Sequence, residues 1–187
     1  MNSLSSTKPV AAGNLAVTVV EWVDSAIVVA ATAITIGSLV IMFMSLMAEV
    51  VVRYLTNQGM GWPTEMPNIL FPWLVMGGVV LGAQKGQHIA VGALNALLGK
   101  TGNKRLLIGQ QVLIAATFFY LAWIGMDVIA ITGTEMYPVT GITAHWAYLA
   151  LIVGFAGLGL TALTTLVHLL SAENPLQVRQ PHREDDV

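Results

Sequence analysis

Four long apolar stretches, separated by short polar segments, dominate the sequence. They cover residues 26–48, 66–84, 106–131 and 144–170 approximately. A helix needs about 20 predominantly apolar residues to cross a hydrocarbon core about 30 Å thick, and each stretch is close to or above that length. The pattern predicts an all-α integral membrane protein with four transmembrane helices.

Shorter segments flank these spans. Residues 14–25 place apolar side chains at helical spacing beside two carboxylates, which is typical of a helix lying along the lipid head groups. Residues 89–98 are apolar enough for a second short interfacial helix between the second and third spans. We therefore divide the chain into a tail with an interfacial helix (1–25), a membrane domain (26–170) and a polar, disordered tail (171–187).

Composition supports the membrane assignment. Of the 187 residues, 56% are hydrophobic and 10% are charged. A typical soluble domain has about 45–50% apolar and about 25% charged residues. The chain has no cysteine, which excludes disulfides and thiolate metal sites.

The distribution of lysine and arginine predicts the orientation. Basic residues accumulate in the short loops that stay in the cytoplasm. Only Arg53 falls on one side of the four spans, and the other side carries Lys8, Lys85, Lys100, Lys104, Arg105, Arg179 and Arg183. Both termini of the four-span chain are therefore expected on the cytoplasmic side of the membrane.

The four predicted spans carry no ionisable residue near their middle. Such residues usually mark an ion or substrate pathway, and here Asp127 lies near the outer end of the third span. The Glu-x-x-His, His-Glu-x-x-His and Gly-x-Ser-x-Gly patterns of metal and nucleophile sites are also missing from the sequence. We expect that the chain is not an enzyme and does not transport a substrate by itself.

Two other classes of protein stay open at this point. A small self-assembling channel or exporter would need a polar lumen that the spans do not supply. A haem-bearing subunit would use His88 and His168, which both fall near the cytoplasmic side. Two interfacial histidines at helix ends explain the same positions.

Small residues four positions apart recur in the spans, where they allow helices to approach closely. These pairs are Ala33 and Gly37 in the first span, Gly78 and Gly82 in the second, and Ala150 and Gly154 in the fourth.

A possible ion pair lies at the outer end of the first span. Glu49 and Arg53 are four residues apart with the acid first, which is a favourable helical arrangement. Arg53 could instead meet Glu65 across the turn between the first two spans.

A run of nearly forty residues carries a distinctive set of positions, namely Arg53-Tyr54, Trp62-x-x-Glu65, Phe71-x-Trp73, Gly78, Lys85-Gly86 and His88-Ile89-x-Val91. This run resembles the small membrane (Q) subunit of tripartite ATP-independent periplasmic (TRAP) transporters. Tyr137-Pro138 and His145-Trp146-x-Tyr148 resemble the family's entry to the fourth span. Asn68 and Gly92 depart from the family, which often has a basic and an acidic residue there.

The resemblance implies a function. Small subunits of this family pair with a large multi-span membrane subunit that holds the substrate and sodium sites. A periplasmic binding protein delivers the substrate, typically an organic acid, in a transient contact. The chain is then an accessory subunit of a symporter that braces the large subunit, with membrane lipids as further partners and without a cofactor, a substrate site or nucleic acid.

The candidate site residues are accordingly structural or partner-facing rather than catalytic. We expect an outer cluster of Arg53, Tyr54, Trp62 and Glu65 that borders a partner. Lys85 and His88 are expected to hold the inner end of the second span near the head groups. The remaining candidate positions, all on the second span, are Trp73, Gly78 and Gly82.

Overall fold

Four long helices make up the part of the chain that the computed structural model describes, residues 11–85 and 100–171, with side chains from residues 18 and 104 onward. They are α1 (Ala11–Thr56), α2 (Trp62–Gln84), α3 (Lys100–Thr132) and α4 (His145–Ser171). Each is long and apolar enough to cross a membrane. The predicted all-α membrane fold with four spans is confirmed.

The largest difference from the predicted boundaries is at the start of α1. Residues 14–25, expected as a separate interfacial helix, continue without interruption into the first span. This segment contains neither glycine nor proline, so nothing in it ends a helix. The interfacial helix predicted at 89–98 lies outside the described residues.

A short turn reverses the chain between α1 and α2. Asn57 adopts a left-handed φ of 56°, and its N–H donates to the Arg53 carbonyl at 3.0 Å, which ends α1. Gly61, with φ of 77°, precedes α2. The buried Pro63 follows in the first turn, where a missing N–H costs nothing. The turn makes α1 and α2 antiparallel neighbours.

The helices form an open row rather than a closed ring. Helix α1 packs mainly against α2, α2 packs also against α4, and α4 packs against α3, while α1 touches α4 less extensively. A small core of Ala31, Met76, Val80 and Leu158 lies where α1, α2 and α4 meet. Helices α1 and α3 are therefore the edges of the row, and both leave many large apolar side chains exposed.

Glycines set the closest helix contacts. A β-carbon at Gly77 would lie 3.2 Å from a carbonyl oxygen of α1, and one at Gly154 would collide with Met76. The predicted Ala150–Gly154 pair thus packs within the chain. At Gly37, Gly78 and Gly82 a β-carbon would meet nothing within 4 Å, so the contact of α2 with α1 uses Gly77 instead.

Candidate interhelical polar sites at the two ends of the bundle

Polar contacts between helices occur at two levels of the bundle. We call the end with the α1–α2 turn (57–61) and the α3–α4 loop (133–144) the loop end. The opposite end, around Asp24, is the terminal end. Asp24 and Glu49 are about 38 Å apart along α1 at about 1.5 Å per residue, close to the thickness of a bilayer with its head groups.

Glu65 joins α2 to the α3–α4 loop at the loop end. Its side chain is buried, with 7% of the residue exposed, in the first turn of α2. It accepts hydrogen bonds from the backbone N–H groups of Val139 at 2.9 Å and Thr140 at 2.8 Å, and from the Thr140 hydroxyl at 2.7 Å. Since a buried carboxylate needs such donors, Glu65 holds this loop against the start of α2.

A proline in α2 creates a second link to the same loop. Pro72 has no N–H, which leaves the Asn68 carbonyl without its usual helical donor. The Tyr137 hydroxyl donates to that carbonyl in a long contact of 3.5 Å. Burial, together with the neighbouring Tyr148, Glu65 and Glu135, raises the pKa of Tyr137, so the phenol stays protonated and able to donate.

Glu49 organises the α1–α2 turn. Its buried side chain accepts a hydrogen bond from the Met60 N–H at 3.0 Å and pairs with Arg53 at 3.2 Å. A β-carbon at Gly59 would lie 2.5 Å from the same carboxylate, so the turn passes close to it. The helical Glu49–Arg53 pair is present, and the alternative Arg53–Glu65 pair is not, since Glu65 binds the α3–α4 loop.

The other predicted residues at the loop end have separate surroundings. Tyr54 and Trp62 are exposed, by 83% and 41% respectively. Arg53 is exposed over 63% of its side chain, beyond its pair with Glu49. Trp73 ties α2 to the start of α4, because its indole N–H donates to the Trp146 carbonyl at 3.0 Å. Contact of these side chains with a partner stays a prediction.

A cluster at the terminal end joins three helices. The Gln84 amide donates to Asp24 at 3.2 Å and to the Thr161 hydroxyl at 3.0 Å. The other Asp24 oxygen lies 3.1 Å from Nε2 of His168. Sequence reasoning missed this cluster. The predicted topology placed Asp24, Gln84 and His168 near the same membrane surface, which was a usable signal for their proximity.

The remaining predicted residues of the terminal end lie near this cluster along the chain. Lys85 is exposed just after α2, with its N–H bonded to the Leu81 carbonyl at 3.1 Å. His88, proposed as a head-group anchor and as a possible haem ligand, lies outside the described residues. His168, the other possible ligand, faces Asp24 through Nε2. Among the described residues, no group of three or more histidine and carboxylate side chains could hold a metal ion.

Four membrane-spanning helices, tied together by polar contacts at both ends, define a multi-pass all-α membrane protein. The family model described as tripartite ATP-independent periplasmic transporters, DctQ component, matches residues 42–172. The chain therefore belongs to the DctQ family of TRAP transporter components, as its resemblance predicted. It is a component of a transporter and not an enzyme.

The chain is similar to two further proteins, and the name of the first of them agrees with this assignment. One, from Haemophilus influenzae, is named "Putative TRAP transporter small permease protein". It is 26% identical over 120 residues, which cover 64% of this chain and 73% of that protein. The other, from Sinorhizobium fredii, is named "Uncharacterized protein y4mM" and is 30% identical over 165 residues, or 88% of this chain. The match spans only 29% of the length of that relative.

Proposed function

We propose that the chain is the small accessory subunit of a sodium-coupled, binding-protein-dependent TRAP transporter that imports an organic acid across the bacterial inner membrane. It braces the large membrane subunit and holds no substrate or sodium site. The observation that carries the proposal is the open row of helices in a member of this family. The row is tied by polar contacts at its ends, and it has uncovered apolar faces between them.

The absence of mid-span charge supports a bracing rather than a conducting role. Between the two polar levels, the described helices contain no Asp, Glu, Lys, Arg or His in residues 25–48, 66–84, 106–126 and 146–167. Ions and charged substrates need polar partners at that depth. The coupling and substrate sites therefore belong to a different chain.

Helix α2 offers a surface for close contact with a partner helix. Gly78 and Gly82 face open space within the described residues, and Phe71, Val75 and Val79 are exposed on the same helix. Small residues at this spacing let a second helix approach in lipid, where apolar burial alone gives little driving force. The large subunit is the natural occupant in a TRAP transporter.

The charge distribution supports an orientation with the loop end in the periplasm. Glu49, Glu65, Asp127 and Glu135 lie at that end with Arg53, whereas Lys85, Lys104 and Arg105 lie at the other. The exposed Tyr54 and Trp62 then face the compartment of the binding protein, which docks there transiently.

Co-purification from the native host tests the proposal. The tagged chain, extracted in mild detergent, is expected to bring a large multi-span protein in equal amount. Gly78→Leu should reduce that recovery severalfold because it fills the open face of α2. Gly109→Leu is the matched control, since a β-carbon there also meets nothing within 4 Å but lies on α3. Isolation of the chain alone as a stable homo-oligomer would refute the accessory role.

A further inference from the structure

A cavity of about 270 Å³ opens at the loop end between α2, the α3–α4 loop and the start of α4. Its lining includes Asn68, Pro72, Glu135, Tyr137, Tyr148 and Leu151. The Tyr137–Asn68 hydrogen bond joins two residues of this lining. A sphere of this volume is about 8 Å across, so it admits a small polar group but not a helix, whose diameter is about 10–12 Å.

The lining of the cavity is polar near the α3–α4 loop and becomes apolar deeper along α2 and α4. Glu135 and Tyr137 come from the loop, and Asn68 and Tyr148 follow in the outermost turns of α2 and α4. Pro72 lies one turn deeper along α2, and Leu151 lies nearly one turn deeper along α4, about 5 Å towards the hydrocarbon. A molecule that is polar at one end and apolar at the other matches this gradient.

The charge of the cavity is negative. Glu135 is the only charged residue in the lining, and Glu65 lies close enough to act on Tyr137. Within the described part of the chain, no hydrogen bond or ion pair reaches the Glu135 carboxylate or the Tyr148 hydroxyl. Arg53, the basic residue in the last turn of α1, pairs with Glu49.

These groups match the chemistry of a primary ammonium next to a phosphate. A carboxylate accepts charge-assisted hydrogen bonds from an ammonium, and tyrosine rings attract the same cation through their faces. The Tyr148 hydroxyl can donate to a phosphate oxygen beside it. The apolar surface of Pro72 and Leu151 suits the first methylene groups of an acyl chain.

We propose that this cavity binds a phospholipid with an ethanolamine head group, with the ammonium at Glu135 and the acyl chains descending past Pro72 and Leu151. A phosphoglycerol lipid has no cation for Glu135. A choline lipid carries a cation but no N–H to donate. A preference for the ethanolamine lipid over both of the others is therefore the sign that its ammonium N–H groups contact the Glu135 carboxylate. Such binding is independent of the identity of any partner subunit.

Native mass spectrometry of the full chain in neutral detergent tests the site. The protein is mixed with equal amounts of dioleoyl phosphatidylethanolamine, phosphatidylcholine and phosphatidylglycerol. Preferential retention of the ethanolamine lipid is expected, and Glu135→Gln should lower it about tenfold by removing one charge-assisted contact. Asp127→Asn is the control, because Asp127 is an exposed carboxylate of α3 that does not line the cavity.

Three results would overturn the assignment. Equal retention of the three lipids would show that the cavity does not recognise the head group. Equal behaviour of the Glu135→Gln and Asp127→Asn proteins would place any preference elsewhere. Displacement of the lipid by soluble phosphoethanolamine at equal concentration would show that the membrane-embedded acyl chains contribute nothing. Glu135 is exposed, so its variant is expected to fold, which size-exclusion chromatography checks.

Discussion

Replacement of Glu49 tests how the α1–α2 turn is held. In Glu49→Ala, the Met60 N–H loses its acceptor, and the pairing with Arg53 is lost as well. An unsatisfied, partly buried donor costs about 1–3 kcal/mol, whereas an ion pair whose arginine is exposed to solvent is worth about 0.2–1 kcal/mol. We expect Glu49→Ala to lower the free energy of unfolding by about 2–3 kcal/mol and Arg53→Ala by less than about 1 kcal/mol.

The measurement is equilibrium unfolding of the purified protein in mixed detergent and dodecyl sulfate, followed by tryptophan fluorescence. Glu49→Gln is the intermediate case, since its amide oxygen can still accept the Met60 N–H without the charge. We expect it to cost about 1 kcal/mol. If Arg53→Ala proved as costly as Glu49→Ala, the ion pair rather than the backbone contact would hold the turn, and the reasoning would be wrong.

Three further experiments probe the other contacts. Gly77→Ala should destabilise the bundle by about 1–3 kcal/mol because its β-carbon crowds a carbonyl of α1, whereas Gly78→Ala should be neutral or stabilising; equal unfolding midpoints would contradict this. Asp24→Asn and His168→Asn should show a coupling energy of about 0.5–3 kcal/mol in a double-mutant cycle, and simple additivity would refute their pairing. Glu65→Ala should speed proteolysis of the 133–144 loop and weaken assembly or uptake with unchanged substrate preference. A changed substrate spectrum would count against the bracing role.

The cluster predicted at the loop end shows which contacts can be predicted from residue types alone and which cannot. The family resemblance placed Arg53 and Glu65 in one outer cluster, and the sequence left either Glu49 or Glu65 as the ion-pair partner of Arg53. The structure gives each a different set of partners: Arg53 pairs within its own helix, and Glu65 binds a loop more than seventy residues away. Backbone N–H groups carry no signature in a sequence, so a loop that offers two of them to a carboxylate cannot be recognised from its residues.

The small-residue motifs predict that helices approach closely, but they do not identify the helix that makes the contact. Gly77 and Gly78 are adjacent, and successive residues of a helix point about 100° apart, so only one of them can face α1. The spacing of Gly78 and Gly82 indicated a close contact but not on which side. The tertiary arrangement assigns Gly77 to the contact inside the chain and leaves the Gly78–Gly82 face open.

By itself, the sequence determined the class of protein, the number of spans and the approximate position of each span. The physical reason is that a bilayer supplies no hydrogen-bonding partners, so each apolar stretch of sufficient length must satisfy its backbone internally as a helix. Only the tertiary structure decided which polar groups meet: Asp24 with Gln84 and His168, Glu49 with the turn, and Glu65 with the loop. Those contacts depend on the order and rotation of the packed helices, which hydropathy does not encode.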